Sequence, residues 1–201
     1  MLTVRAGGRR IRDRRKVAAC QRLACLWVRS YETAPIHRRV NSISLGLSWR
    51  VGSIQPEAPI GTCFIPTSCI REEGTSLHYL SSDEGLRPSQ RLVRALEKAR
   101  VKRGIVAYTG PIWTTDAPYR ETVTTIEKYR LRNVLGVDME TSAMYALGVY
   151  RNVEVCNLLV VSDELWKDWK PAFGRPELRL AMKQAGEAVL DVIRTLRASA
   201  S

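Results

Sequence analysis

No apolar run in this 201-residue chain approaches the about eighteen residues that a membrane helix requires, so no membrane-spanning segment is expected. Only two histidines, His37 and His78, accompany five cysteines (Cys20, Cys25, Cys63, Cys69, Cys156), and no two cysteines form a C-x-x-C pair. That argues against a structural metal site and against a disulfide framework; free thiols fit a reducing cytoplasm. The start, MLTVRAGGRRIRDRRK, is basic, but the apolar stretch after it is broken by Gln21 and Arg22 and lacks a small-residue cleavage site, so no secretory leader is expected. Internal repeats and low-complexity tracts are also lacking.

Acidic residues are scarce in the first quarter. Residues 1–50 carry twelve Lys/Arg against two Asp/Glu, whereas residues 51–201 carry twenty against eighteen, so nearly all of the formal charge of +12 belongs to the start. A basic arm of this kind is either a solvated extension or a non-specific contact for nucleic acid. No aromatic-interleaved or zinc-type binding motif accompanies it, which favours the first reading. The remainder is ordinary for one globular domain, with 45% apolar and 26% charged residues.

Hydrophobic periodicity orders the chain. Lys16 to Tyr31 has apolar residues at helical spacing. Ile43, Leu45, Leu47, Trp49 and Val51 alternate as a strand does, ending at Gly52-Ser53. Strands are predicted over Ile60 to Thr67, Gly104 to Gly110, Val134 to Met139 and Val153 to Val161, and helices over Pro88 to Arg100, from about Glu121, over Glu140 to Tyr150 and over Pro176 to Arg197. Alternating strands and helices indicate an α/β fold with a mostly parallel or mixed central sheet between helices, and such sheets place ligands at strand carboxyl ends.

Three stretches at those ends carry chemistry. In Gly136 to Tyr145, GVDMETSAMY, Asp138 and Glu140 flank Met139 at the seam between a strand and a helix. Two readings stand: acceptor-only carboxylates gripping the paired hydroxyls of a sugar, or helix capping and first-turn charge. In Ile112 to Thr122, IWTTDAPYRET, Tyr119 is either a stacking face for a heterocycle, with Trp113 as another candidate ring, or a core aromatic. In Leu159 to Leu165, LVVSDEL, Asp163 ends a strongly apolar strand, where burial should raise its pKa and suit it to acid catalysis; Ser162 could orient it. The plain alternative for Ser162-Asp163 is a helix N-cap.

Taken in their order along the chain, the segments resemble the purine nucleoside phosphorylase and uridine phosphorylase family over roughly Arg50 to Ser201. GVDMETSAMY is similar to the family's ribose-holding Glu-Met-Glu segment, with Asp138 in place of the first glutamate. Arg50-Val51-Gly52-Ser53-Ile54-Gln55-Pro56 looks like the family's phosphate turn shortened by two or three residues. The resemblance implies Arg50 as the phosphate arginine, Gly52 and Ser53 lining the pocket, Asp138, Met139 and Glu140 on the ribose, Tyr119 on the base, and Ser162 with Asp163 at its N7 edge. It places a hairpin over Ile70 to Leu80, where the family often makes a subunit contact, with Arg71, Glu73 and His78 as weaker candidates. Residues 1–42 stand outside the resemblance, as a basic extension before a domain at 43–201 that lacks the family's first strands.

The implied reaction is phosphorolysis of a nucleoside, a purine one by the Ser-Asp pair and by the absence of a Gln-x-Arg spacing after Tyr119, giving free base and ribose 1-phosphate. It needs phosphate as co-substrate and no cofactor or metal. The resemblance also implies a homo-oligomer. Alternatives are a nucleosidase of the same superfamily, using water, and a non-catalytic relative that binds nucleosides or RNA.

Overall fold

Two sets of strands, each parallel within itself, meet edge to edge and close on one another. The structure, a computed structural model, describes residues 43–81 and 85–198. The predicted helix over Lys16 to Tyr31 and the basic arm lie outside them. The alternating stretch becomes β1 (Ile43–Ser53). There follow β2 (Cys63–Glu72), a 3-10 turn at Thr75–His78, α1 (Gln90–Lys102), β3 (Ala107–Thr115), a 3-10 turn at Pro118–Arg120 and α2 (Val123–Arg130). Then come β4 (Gly136–Asp138), α3 (Thr141–Tyr150), β5 (Glu154–Glu164), the short β6 (Lys170–Pro171) and α4 (Pro176–Ala198).

β1 runs parallel to β5 from Ile43 beside Glu154 to Ser53 beside Glu164. β2, β3 and β4 form the second parallel set, with Glu72 beside Thr115 and Thr114 beside Asp138. Short antiparallel contacts join the sets, Gly52 to Val137 on one side and Phe64 to Leu159 on the other. The result is a ring in the order β1-β4-β3-β2-β5, with β6 added to β5.

Strand alternation then sorts side chains between the inside of the ring and its outer faces. Val51, Phe64, Ile112, Leu159 and Val161 fill the inside. Cys63, Ile65, Cys156, Leu158 and Val160 point outward under α1 and α4, meeting Leu92, Leu96, Leu178, Ala185 and Val189. A third cluster, Ile54, Trp113, Ile126, Tyr129, Val134 and Val137, seats α2. Each large aliphatic side chain so buried contributes about 1.5–3 kcal/mol relative to exposure, which makes the register hard to slip. Ser89 pins α1 to β5: its hydroxyl accepts from the Leu92 N–H, and its own N–H donates to the Val155 carbonyl at 2.8 Å.

Gly136 is required by the ring's closure. A Cβ there would stand 2.5 Å from the Gly52 carbonyl oxygen and 2.9 Å from Val51 Cγ2, so β1 and β4 could not approach.

Two sequence expectations are corrected. The predicted hairpin over Ile70 to Leu80 is not formed: β2 runs on to Glu72, and a single 3-10 turn follows. The third strand occupies Ala107–Thr115 rather than Gly104 to Gly110. Pro66 and Pro111 conceal both extensions, because a proline ordinarily argues against a central strand. Here Pro66 sits at a register shift in the β2–β3 ladder, an irregularity of the kind at which a strand tolerates proline. Among the described residues no helix is long and apolar enough to cross a membrane.

Candidate active site

The ends of β3, β4, β1 and β5 set a row of polar side chains along one rim. Thr114 stands beside Asp138, Gly52 beside Val137, and Gly52 again beside Asp163. Asp138 and Asp163 thus flank β1 from its two neighbouring strands, which puts their backbones about 10 Å apart at the usual strand spacing. Both continue an inward phase of alternation, Asp163 after Leu159 and Val161, and Asp138 after Gly136.

At the β5 end, the Ser162 hydroxyl donates to Asp163 Oδ1 at 2.7 Å and the Trp169 indole N–H donates to Oδ2 at 2.9 Å. Burial pushes the Asp163 pKa above the ordinary carboxylate value; these two hydrogen bonds and the positive charge of Arg50 oppose the shift without cancelling it. Arg50 is exposed, with its guanidinium 5.7 Å from the ring centre of Phe173. Trp169 and Phe173 pack together on the segment after β5, ring centres 6.4 Å apart, Trp169 bonded to the acid through its N–H and Phe173 beside Arg50.

Glu121, half-buried after the 3-10 turn at Pro118–Arg120, is coupled electrostatically to this group. Its pKa is pushed up to about 7, first by burial and then by the negative charge of Asp163.

At the β4 end, Asp138 is fully enclosed. Thr114 Oγ1 donates to its Oδ1 at 2.7 Å, and the Thr141 N–H donates to its Oδ2 at 3.1 Å, joined there by the Thr141 hydroxyl. Burial still carries its pKa up to about 6. Asp138 therefore ties the start of α3 to β3, and β4 ends at Asp138, so Glu140 lies beyond the strand. Glu140 is the residue before α3, buried, with Oε2 accepting from the Met139 N–H at 3.2 Å. Met139 is half-buried between them.

The remaining candidates separate clearly. Ser53 is fully enclosed, its hydroxyl donating to the Gln55 carbonyl at 3.0 Å, and Gly52 is covered by Leu165, whose Cδ1 lies 2.3 Å from where a Cβ would stand. Both shape the turn out of β1 rather than presenting an open surface. Tyr119 is 69% exposed, which excludes the core-aromatic reading. Trp113 is buried, its N–H donating to Glu72 at 2.8 Å and its ring 4.9 Å from Tyr129, so it is a core ring and not a stacking face. Glu73 is buried under the 3-10 turn, accepting from Ser76 N–H and from the Ser142 hydroxyl at 2.6 Å, while Arg71 donates to Ser76 and to the Leu80 carbonyl. His78 is exposed.

The sequence passed over Glu121, Trp169, Thr114 and Thr141. Glu121 stands inside IWTTDAPYRET, two residues after Tyr119, and nothing local marks it as part of a site. Thr114 and Thr141 each neighbour a candidate in sequence or in register, yet nothing local distinguishes a threonine that donates to a buried carboxylate.

Comparison with known proteins identifies the family of the chain. The sequence model of the Phosphorylase superfamily fits residues 50–196. The chain belongs to that superfamily. A DeoD-type purine nucleoside phosphorylase of Alkaliphilus metalliredigens is 29% identical over 115 residues, covering 57% of this chain and 49% of that protein. A namesake from Bacillus cereus is 28% identical over 116 residues with the same coverage. The chain thus spans about half the length of these curated relatives. Among solved structures, an AMP nucleosidase from Bacteroides thetaiotaomicron is 28% identical with a TM-score of 0.57, covering 78% of this chain and 61% of its own. A uridine phosphorylase from Vibrio fischeri shares the fold at TM-score 0.66 and 21% identity, covering 78% and 64%.

Proposed function

We propose that this protein cleaves the N-glycosidic bond of a purine nucleoside by phosphorolysis. The observation that carries the reading is Asp163, partly enclosed at the end of β5 and held through both oxygens by Ser162 and Trp169, with its pKa raised.

As the bond from the ribose C1′ to the base N9 lengthens, the bonding pair departs with the base, and the sugar develops oxocarbenium character. Protonated Asp163 delivers its proton to N7, so the base leaves neutral. Phosphate attacks C1′ from the opposite face, giving ribose 1-phosphate and leaving Asp163 ionised until solvent reprotonates it. Arg50 supplies positive charge for phosphate, Met139 and Glu140 seat the ribose, and Tyr119 offers its exposed ring to the base. Asp138 fixes the Met139–Glu140 turn beneath the sugar. No cofactor is required beyond phosphate as co-substrate.

The protein works as a homo-oligomer in the cytoplasm on this reading, a compartment that suits the free thiols Cys63, Cys69 and Cys156. Sedimentation of the full chain tests the first point.

A second reading, hydrolysis with water as nucleophile, is favoured by the 28% identity to an AMP nucleosidase. A panel of purine and pyrimidine nucleosides and AMP, assayed with and without phosphate, separates the two. Phosphate-dependent release of a purine is expected, reduced at least about 100-fold in Asp163→Asn, the lower end of what a general acid contributes. Unchanged turnover in that variant removes Asp163 from the acid role; base release without phosphate selects hydrolysis.

A further inference from the structure

Both oxygens of the proposed acid are already engaged. The Ser162 hydroxyl donates to Asp163 Oδ1 at 2.7 Å, and the Trp169 indole N–H donates to Oδ2 at 2.9 Å. The two donors differ in setting: Ser162 is buried, whereas Trp169 is 52% exposed. Oδ1 therefore faces the protein, and Oδ2 is the oxygen on the side open to an arriving molecule.

Trp169 is carried by a stretch fixed at its ends. The Leu165 N–H donates to the Ser53 carbonyl at 2.8 Å and the Ala172 N–H to the Ser162 carbonyl at 2.9 Å, while Lys170 and Pro171 pair with Glu164 and Asp163. Between those anchors Lys167, Asp168 and Trp169 are exposed. The ring that packs on Trp169 is Phe173, itself exposed. An indole held by one hydrogen bond and one ring contact on such a stretch can turn away from Asp163 without breaking the ladder.

Resting on the purine reading above, we infer that Trp169 occupies the position on Asp163 that the freed purine takes, so that indole and product compete for Oδ2. Once the proton has passed to the base, Asp163 is ionised and has only acceptor sites, and the purine carries an N7–H. That group is a ring N–H in the five-membered half of a fused bicycle, and so is the indole N–H. Each makes a charge-assisted hydrogen bond to a carboxylate oxygen, with similar length and strength. With Oδ1 committed to the enclosed Ser162, the two bicycles contend for one half-buried oxygen, and both cannot lie in line with it. The indole has no acceptor, so Trp169 cannot take the proton meant for N7; it can only vacate the place. Trp169 is thus a positioning residue: it holds the carboxylate while the site is empty and yields Oδ2 to the base.

The test follows the Trp169 indole N–H by heteronuclear NMR in the full chain, its resonance assigned by its loss in Trp169→Phe, alongside calorimetric binding of free hypoxanthine and free adenine without phosphate. Saturating base should move the resonance to the position of an indole N–H bonded only to water. Trp169→Phe keeps a ring against Phe173 but has no N–H, and should bind hypoxanthine about tenfold more tightly, near the lower end of what one hydrogen bond to a charged group is worth. A resonance that stays in place while base binds overturns the inference and leaves the purine site standing. Equal or weaker binding in Trp169→Phe also overturns it, because the indole then either never meets the base or assists it. If calorimetry detects no binding of either base, the purine reading itself falls, and this inference with it.

Discussion

At the scale of single residues, the rim works by setting protonation states through burial and then trimming them with donors. Asp163 and Asp138 show the two uses of this. Asp163 is half-buried, and its Trp169 partner is 52% exposed. Trp169→Phe removes an N–H that favours the ionised carboxylate, so the Asp163 pKa rises further. The expected outcome is base release that persists to higher pH than in the unaltered chain, read from the alkaline limb of the pH–rate profile; a limb that moves to lower pH contradicts it. Asp138 is enclosed and structural in its contacts. Its folded pKa of about 6 exceeds its ordinary value of 3.8, so the folded state holds the proton more tightly than the unfolded chain. Stability from this group is therefore complete below about 4 and declines as pH rises through about 6. Urea midpoints measured across that window should fall with rising pH in the unaltered protein and less steeply in Asp138→Asn. Thr114→Val strips Asp138 Oδ1 of its donor and should destabilise by about 1–3 kcal/mol, also read from urea midpoints.

At the scale of elements, the site depends on how closely two strand ends can approach. β1 and β4 meet over only two residue pairs, Gly52 with Val137 and Ser53 with Gly136. Gly136→Ala drives a methyl into the Gly52 carbonyl, a backbone atom that cannot rotate aside, and should cost about 1–3 kcal/mol or more in chemical denaturation. Gly52→Ala meets the flexible end of Leu165 instead and should cost less. Element boundaries were legible where the local pattern and the tertiary need agree. β1 ends at Ser53 as the alternation predicts, and α4 begins at Pro176, a residue suited to a first helical position. They were illegible at β2 and β3, where the ladder tolerates Pro66 and Pro111 because each set of strands is anchored on both sides. β6 spans two residues and carries no periodicity; only its pairing with Asp163 and Glu164 defines it.

At the scale of the whole molecule, one closed ring brings together side chains more than a hundred residues apart in sequence, from Arg50 to Asp163. The matched superfamily region begins at residue 50, and the curated relatives are about twice as long as the stretch they share with this chain. Activity consequently tests more than the fold. Base release that requires phosphate shows that this chain assembles a working phosphate site around Arg50. The basic start lies outside the described residues, and RNA retention that weakens steeply with salt would give it a binding role; the expected outcome is weak retention, since the charge stands without a reading motif.

The sequence by itself determined the alternation of strands and helices and the order of the segments that carry Asp138, Glu140, Tyr119 and Asp163. Local periodicity and residue type are written along the chain, and they need no partner to be read. Only the tertiary structure decided that Asp138 is held by two threonines, that Ser53 is enclosed, that Tyr119 is exposed, and that Trp169 holds Asp163. Burial, exposure and the bond from Thr114 across to Asp138 are set by which neighbours pack together, and those neighbours meet only once the ring of strands has closed.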